Sequence, residues 1–231
     1  MNRKHNNQID EVRARIDAAC RDAGRGPLSV NLLAVSKTQP ADAVRRLHAL
    51  GQQAFGESYV DEAVAKIGEL ADLGLEWHYI GPIQSNKTRA IAAHFDWVQS
   101  VDRVKIVRRL DDQRPVERPP LNVLIQVNID SESQKAGCRP EEIAGLADRI
   151  VDCEHLVLRG LMAIPAPRKD FGDQKMAFER LHAHFQNLKK RHPDIDTLSA
   201  GMSADLEAAI AAGSTMVRVG TALFGARGAP G

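Results

Sequence analysis

The sequence predicts a single (β/α)8 TIM barrel, preceded by an additional N-terminal helix. Short β-rich runs alternate with longer helical patterns along the chain, which is typical of parallel strands joined by helical crossovers. These runs fill the 231 residues without leaving a repeat for a second domain, as expected for a closed barrel of about 250 residues. We therefore expect one domain over residues 1–231, with 225–231 as a frayed tail.

The elements follow from local patterns taken in order. Ile9, Val12, Ile16 and Ala19 form a helical stripe, so a helix is expected at 9–23, ending at the Gly and Pro residues of 24–27. Apolar runs between turn residues predict strands at 31–36, 54–56, 77–81, 97–100, 122–128, 158–163, 197–200 and 216–220. Helical spacing predicts helices at 41–50, 59–73, 87–93, 103–112, 140–153, 174–191 and 205–212.

An open doubly wound sheet is the alternative fold. It would need a glycine-rich turn after its first strand, and the turn here reads Ser36-Lys37-Thr38-Gln39-Pro40. The sequence therefore favours the closed barrel. A longer connection at 165–173 either covers the barrel mouth or is a plain surface loop.

Composition excludes several functional classes. Hydrophobic residues make up 43% and charged residues 26%, and the formal net charge is +1, so we expect neither nucleic acid nor an anionic membrane as a partner. Residues 1–8 lack the apolar core of a secretory signal, and no apolar run approaches the roughly 18 residues of a membrane span. A cytoplasmic protein is predicted, with its 3 cysteines reduced.

Two kinds of catalytic site find no support in the sequence. His182 and His184 are spaced by two, which places them on different helix faces, and no cysteine pair has metal-ligand spacing. No G-x-S-x-G turn occurs, so a serine nucleophile is not indicated. We expect no metal site.

Lys37 is the most informative candidate, because it follows the first apolar strand. A lysine in this position either reaches water along the protein surface or performs chemistry. Partial burial at a barrel mouth can lower the pKa of its amine, which then forms an imine with a carbonyl compound. Both interpretations stay open from this residue alone.

The loops after the seventh and eighth strands often bind phosphate in such barrels. After the seventh, Gly201 allows a tight turn and Ser203 is placed either to cap the next helix or to contact an anion, which Asp205 would oppose. After the eighth, Gly220 permits close approach of a ligand and Thr221 adds a hydroxyl group. Arg218 alternates with valines and should point inward, where it needs a carboxylate or a ligand acceptor.

The chain resembles the pyridoxal phosphate homeostasis proteins, which are similar to the barrel domain of alanine racemase standing alone. The resemblance covers nearly the whole chain and rests on blocks at 34–38 (AVSKT), 55–57 (FGE), 77–87 (WHYIGPIQSNK), 126–129 (QVNI), 158–165 (LRGLMAIP) and 218–225 (RVGTALFG). Gln39, Ser58 and Ala200 stand where the family usually has lysine, asparagine and methionine.

The resemblance implies a pyridoxal 5'-phosphate (PLP) site. Lys37 would form the Schiff base and Arg218 would face the pyridine nitrogen. Phosphate would be held by Ser203, Gly220 and Thr221, with Met202 and Ser58 as further cofactor contacts.

A carrier is the expected function, with a racemase-like enzyme second. Arginine can only donate to the ring nitrogen, so the ring would be a poor electron sink, and the second domain that supplies a tyrosine base in racemases is absent from this sequence. We therefore expect a monomer that holds PLP and hands it to PLP-dependent apo-enzymes. A Schiff-base aldolase acting on a phosphorylated sugar is the third hypothesis.

Overall fold

A closed barrel of eight parallel strands forms the centre of the computed structural model, which describes residues 3–132 and 134–225. Each strand pairs with the next, and β8 pairs with β1 to close the barrel. The strands are β1 (Asn31–Val35), β2 (Ala54–Glu57), β3 (Glu76–Tyr79), β4 (Trp97–Val101), β5 (Leu121–Gln126), β6 (Leu156–Met162), β7 (Thr197–Ser199) and β8 (Met216–Val219).

Helices surround the barrel and connect its strands. They are α1 (Arg3–Asp22), α2 (Ala41–His48), α3 (Val60–Glu69), α4 (Thr88–His94), α5 (Val104–Gln113), α6 (Ile143–Val151), α7 (Phe171–Arg191), α8 (Leu206–Ala211) and α9 (Thr221–Phe224). Their apolar faces pack on the outside of the strands, where one continuous hydrophobic core forms. No helix in the described part of the chain is long and apolar enough to cross a membrane.

The predicted fold and all eight predicted strands are confirmed, with ends that differ by one or two residues. The helix expected to start at 174 begins earlier, at Phe171, because the Asp170 side chain accepts hydrogen bonds from the amides of Gly172 and Asp173. The long connection is therefore shorter than predicted. Residues 226–231, most of the predicted tail, lie outside the described residues.

Helix α1 packs against α8 and α9, the helices that follow β7 and β8. Arg15 forms an ion pair with Glu207 at 2.8 Å and donates to the carbonyl of Ser203 at 3.0 Å. Arg25 donates to the carbonyls of Ile210 and Ser214. The predicted N-terminal helix is thus confirmed, and it fixes the part of the barrel that carries the two candidate phosphate loops.

Only glycine fits the backbone conformation at position 160 in β6. Its φ is +145°, and a Cβ atom built there would lie 1.9 Å from the carbonyl oxygen of Thr197. The register between β5 and β6 shifts at this point, with Val123 opposite Leu158 and Leu124 opposite Gly160. Glycine permits β6 and β7 to approach closely on one side while β6 bulges on the other.

Candidate functional site

A cavity of about 330 Å³ opens at the carboxyl ends of the strands, the end where ligands bind in barrels of this type. All seven residues predicted for the cofactor line it: Lys37, Ser58, Met202, Ser203, Arg218, Gly220 and Thr221. Val35, Gln39, Ile80 and Ile164 add to the wall. The structure therefore brings together residues that lie far apart in the sequence.

The backbone on both sides of Lys37 is held by side chains of α3. Lys66 donates to the carbonyl of Ser36 at 2.8 Å, and the amide of Thr38 donates to Glu62 at 2.7 Å. Thr38 has a φ of +64°, a conformation that is uncommon for a residue other than glycine. These bonds fix the direction in which Lys37 leaves β1.

A buried ion pair supports this arrangement from behind. Lys66, with 5% of its side chain exposed, lies 2.8 Å from Glu57 and 2.9 Å from Glu62. Ser36 donates to the same Glu57 oxygen at 2.6 Å. Burial raises the pKa of Glu57, and Lys66 opposes this shift. The second carboxylate oxygen of Glu57 is buried without a hydrogen-bond partner. The buried charge of Glu57 therefore depends strongly on Lys66 for its stabilisation.

The loop after β7 excludes one of the two roles that the sequence left open for Ser203. Ser203 does not cap α8; instead the carboxylate of Asp205 accepts from the amide of Met202 at 2.6 Å. Because Asp205 occupies the cap position of α8, Ser203 is not the cap of this helix, and its role as an anion contact stays a prediction. Burial raises the pKa of Asp205, while the hydrogen bond from Met202 and the charge of Arg218 oppose this shift.

The loop after β8 passes close to β1. A Cβ atom on Gly220 would lie 3.3 Å from the carbonyl oxygen of Val35, so glycine leaves room between the two backbones. The short helix α9 begins at Thr221, where a loop was expected. The side chain of Thr221 is exposed and lines the cavity. The two predicted phosphate loops therefore line one cavity with Lys37.

Arg218 is only 3% exposed, as its position on β8 predicts. It donates to the hydroxyl oxygen of Ser199 at 2.7 Å and to the carbonyl of Ala163 at 2.9 Å. Within the described ranges, no carboxylate lies at ion-pair distance from the Arg218 guanidinium. Of the two partners that the sequence left open, a carboxylate and a ligand acceptor, the first is therefore not found in direct contact. Burial lowers the pKa of Arg218 to about 10, which keeps it charged at neutral pH. These two bonds leave N–H donors of its guanidinium for a ligand.

Neither tyrosine supplies an evident base. Tyr79 donates to the carbonyls of Pro82 and Ser58 at 3.1 and 3.3 Å, and burial raises its pKa to about 12. Tyr59 is exposed and outside the cavity wall.

Asp130 connects the loops that follow β5 and β6. Its carboxylate accepts from the amide of Ala166 at 2.6 Å and pairs with Arg168 and Arg180. Lys135 nearby forms an ion pair with Glu132. The sequence did not indicate this clasp, which holds the 165–170 connection beside the mouth. No group of metal-ligating side chains occurs among residues 3–132 and 134–225.

The fold defines a barrel of the alanine racemase type: the family described as "Alanine racemase, N-terminal domain" matches residues 8–228. Within this class, the chain belongs to the pyridoxal phosphate homeostasis protein family. It is 57% identical to the pyridoxal phosphate homeostasis protein of Pseudomonas aeruginosa over 96% of each chain. Identity to the protein of the same description from Escherichia coli K12 is 54%, over 95% of each chain.

Solved structures agree with this assignment. PipY of Synechococcus elongatus, determined with PLP bound, is 34% identical with a TM-score of 0.82, over 96% of this chain and 100% of PipY. Alanine racemase of Corynebacterium glutamicum is 18% identical with a TM-score of 0.66, over 96% of this chain and 62% of the racemase. The second comparison supports the fold alone.

Proposed function

We propose that this protein binds PLP as a Schiff base on Lys37 and takes part in intracellular PLP homeostasis and delivery, without turnover of its own. The observation that carries the proposal is the buried Arg218, which forms no direct ion pair in the described part of the chain, is attracted by Asp205 only over a longer distance, and lines the same cavity as Lys37. The PLP-bound relative and the descriptions of the curated relatives support the choice of ligand.

The residues of the cavity fit this cofactor group by group. Lys37 supplies the amine, and Ser203, Gly220 and Thr221 surround the phosphate from two adjoining loops. Arg218 donates to the ring nitrogen. Met202 and Ser58 line the walls, and a volume of about 330 Å³ lies within the usual range for small-ligand sites.

Arg218 also explains why a carrier is favoured over an enzyme. When bound, PLP supplies an aldehyde for the lysine and a ring that can accept electrons if its nitrogen is protonated. Arg218 stays charged at neutral pH, and a guanidinium has no acceptor, so it cannot keep that nitrogen protonated. The chain thus holds the ring in its less reactive form.

The decisive experiment is the visible spectrum of the purified protein before and after borohydride. We expect an imine absorbance that disappears when borohydride reduces the imine and leaves the cofactor covalently bound to Lys37. K37A should lack this absorbance while retaining measurable phosphate binding. K87A is the matched control, since Lys87 forms a surface ion pair with Asp61. An imine that survives in K37A would contradict the assignment.

The same samples separate the alternatives. Sustained racemisation or transamination of D- or L-amino acids, dependent on Lys37, would replace the carrier by an enzyme. A colourless protein that forms a reducible imine with a phosphorylated sugar would favour the aldolase. Delivery is tested by mixing the loaded protein with a PLP-dependent apo-enzyme. The cytoplasmic location and the monomeric state stay predictions.

A further inference from the structure

A row of buried polar side chains crosses the interior of the barrel and ends at Arg218. The guanidinium donates to the hydroxyl oxygen of Ser199 at 2.7 Å, and this hydroxyl group donates to Oε1 of Gln99 at 2.7 Å. Nε2 of Gln99 lies 2.9 Å from Nδ1 of His78. Nε2 of His78 lies 2.8 Å from a carboxylate oxygen of Glu76. We call these five residues the interior chain.

The direction of every bond in the interior chain is determined by its two ends. Arginine can only donate and an ionised carboxylate can only accept. The hydroxyl proton of Ser199 must therefore point to Gln99, whose amide nitrogen then faces His78. His78 accepts at Nδ1 and carries its proton on Nε2, toward Glu76, so it is neutral. Burial lowers the pKa of His78, in agreement with this assignment.

The interior chain is shielded from water except at its far end. His78, Gln99 and Ser199 are fully buried, and His78 stacks on Trp97 with centroids 5.1 Å apart. Glu76, by contrast, has 47% of its side chain exposed. It lines a second cavity, of about 810 Å³, together with Asn31, Ala54 and Met216, the first residues of their strands. This cavity therefore opens at the amino ends of the strands, opposite the Lys37 cavity.

We infer that Glu76, His78, Gln99 and Ser199 are positioning residues that orient Arg218 and set how strongly it donates to the ring nitrogen of bound PLP. The inference rests on the proposed function. Aligned hydrogen bonds polarise one another in a low-dielectric interior. The charge of Glu76 makes each acceptor in the row stronger, so Arg218 is drawn toward Ser199 and donates less to the ring. A carboxylate on one face of the barrel thus adjusts the cofactor on the other.

The first test is E76Q, which keeps a side-chain oxygen but removes the charge. With PLP labelled with ¹⁵N at the ring, we expect the ring-nitrogen NMR signal of the holo-protein to move upfield relative to wild type, because Arg218 donates more strongly. D17N is the matched control. Asp17 lines the same cavity but is outside the interior chain, and the ring-nitrogen signal of D17N should stay at the wild-type position.

The second test breaks the interior chain in the middle. In a Q99L background, E76Q should have no further effect on the ring-nitrogen signal, since Glu76 no longer reaches Arg218 through bonds. S199A provides the same interruption one residue nearer to Arg218 and replaces Q99L if that variant does not fold. A shift from E76Q that persists in the interrupted background would overturn the inference, because it would show that Glu76 acts through space.

The outcomes also separate this inference from the proposed function. A wild-type protein without a borohydride-reducible imine at Lys37 would refute the proposed function itself. A normal imine in wild type, with E76Q and D17N both at the wild-type ring signal or both shifted equally, would refute only the role of the interior chain.

Discussion

Arg218 places a permanent positive charge inside the barrel, beside neutral oxygens. Such a charge is costly to bury unless it is well hydrogen-bonded, and the bonds to Ser199 and Ala163 meet only part of that requirement. Arg218 also lines the cavity that Lys37 lines. A ligand with an acceptor nitrogen, such as the proposed PLP, would meet the rest of the requirement.

Gly160 gives a prediction at the scale of one residue. G160A should lower the free energy of unfolding by about 3 kcal/mol or more, since the added methyl group would overlap the Thr197 carbonyl in an unfavourable backbone region. Urea denaturation measures the change. G145A is the control: a Cβ at Gly145 in α6 meets nothing within 4 Å, so it should be neutral or stabilising by up to ~1 kcal/mol. Equal losses in the two variants would contradict this account.

At the scale of elements, the ion pair between α3 and β2 holds the Lys37 loop. K66M should cost about 3–5 kcal/mol, because it leaves the buried carboxylate of Glu57 without its cation. K87M, which removes an exposed ion pair, should cost less than ~1 kcal/mol. Denaturant midpoints compare the two variants. Similar costs in the two variants would contradict a larger stabilisation by the buried ion pair of Lys66.

The same variant has a predictable pH dependence. Burial raises the pKa of Glu57 in the folded protein, and loss of Lys66 raises it further. A carboxyl group with a raised folded-state pKa favours folding when protonated, and this contribution is lost as pH rises through that pKa. The stability deficit of K66M relative to wild type should therefore be smaller at pH 5 than at pH 8. In E57Q/K66M, which has no buried charge to leave unpaired, this pH effect should disappear.

Elements with strong local signals could be predicted from the sequence. Each strand is an apolar run bounded by turn residues, and Lys37, Gly220 and Thr221 directly follow such runs. The start of α7 was missed because its cap lies in a polar, proline-containing stretch. The sequence left two roles open for Ser203, and its role as a helix cap is excluded because the cap position of α8 belongs to Asp205, two residues further on.

Side-chain partners from separate strands could not be predicted in this way. Glu76 and Gln99 contact Arg218 only through intervening residues, at sequence separations of more than 100. Lys66 reads as an ordinary helical lysine, and its burial depends on how α3 packs on the barrel. Periodicity indicates which face of an element is buried, but it does not indicate which buried polar groups meet.

At the scale of the whole molecule, cofactor binding should stabilise the fold. A ligand present at 100 times its Kd adds about 2.7 kcal/mol, which for a domain of this size raises the melting temperature by about 5–10 °C. Differential scanning fluorimetry with PLP measures this, and K37A should show a smaller rise. Pyridoxal, which lacks the phosphate, should also stabilise less. An equal effect of pyridoxal would argue against the two phosphate loops.

The pairing of β1 with β8 has a consequence for how the protein is made. Lys37 follows the first strand and Thr221 follows the last, and these loops become neighbours only when the barrel closes. Before β8 has emerged from the ribosome, the nascent chain contains Lys37 but only part of the phosphate site. Cofactor colour should therefore report a fully synthesised and closed barrel, and truncated or misfolded chains should remain pale.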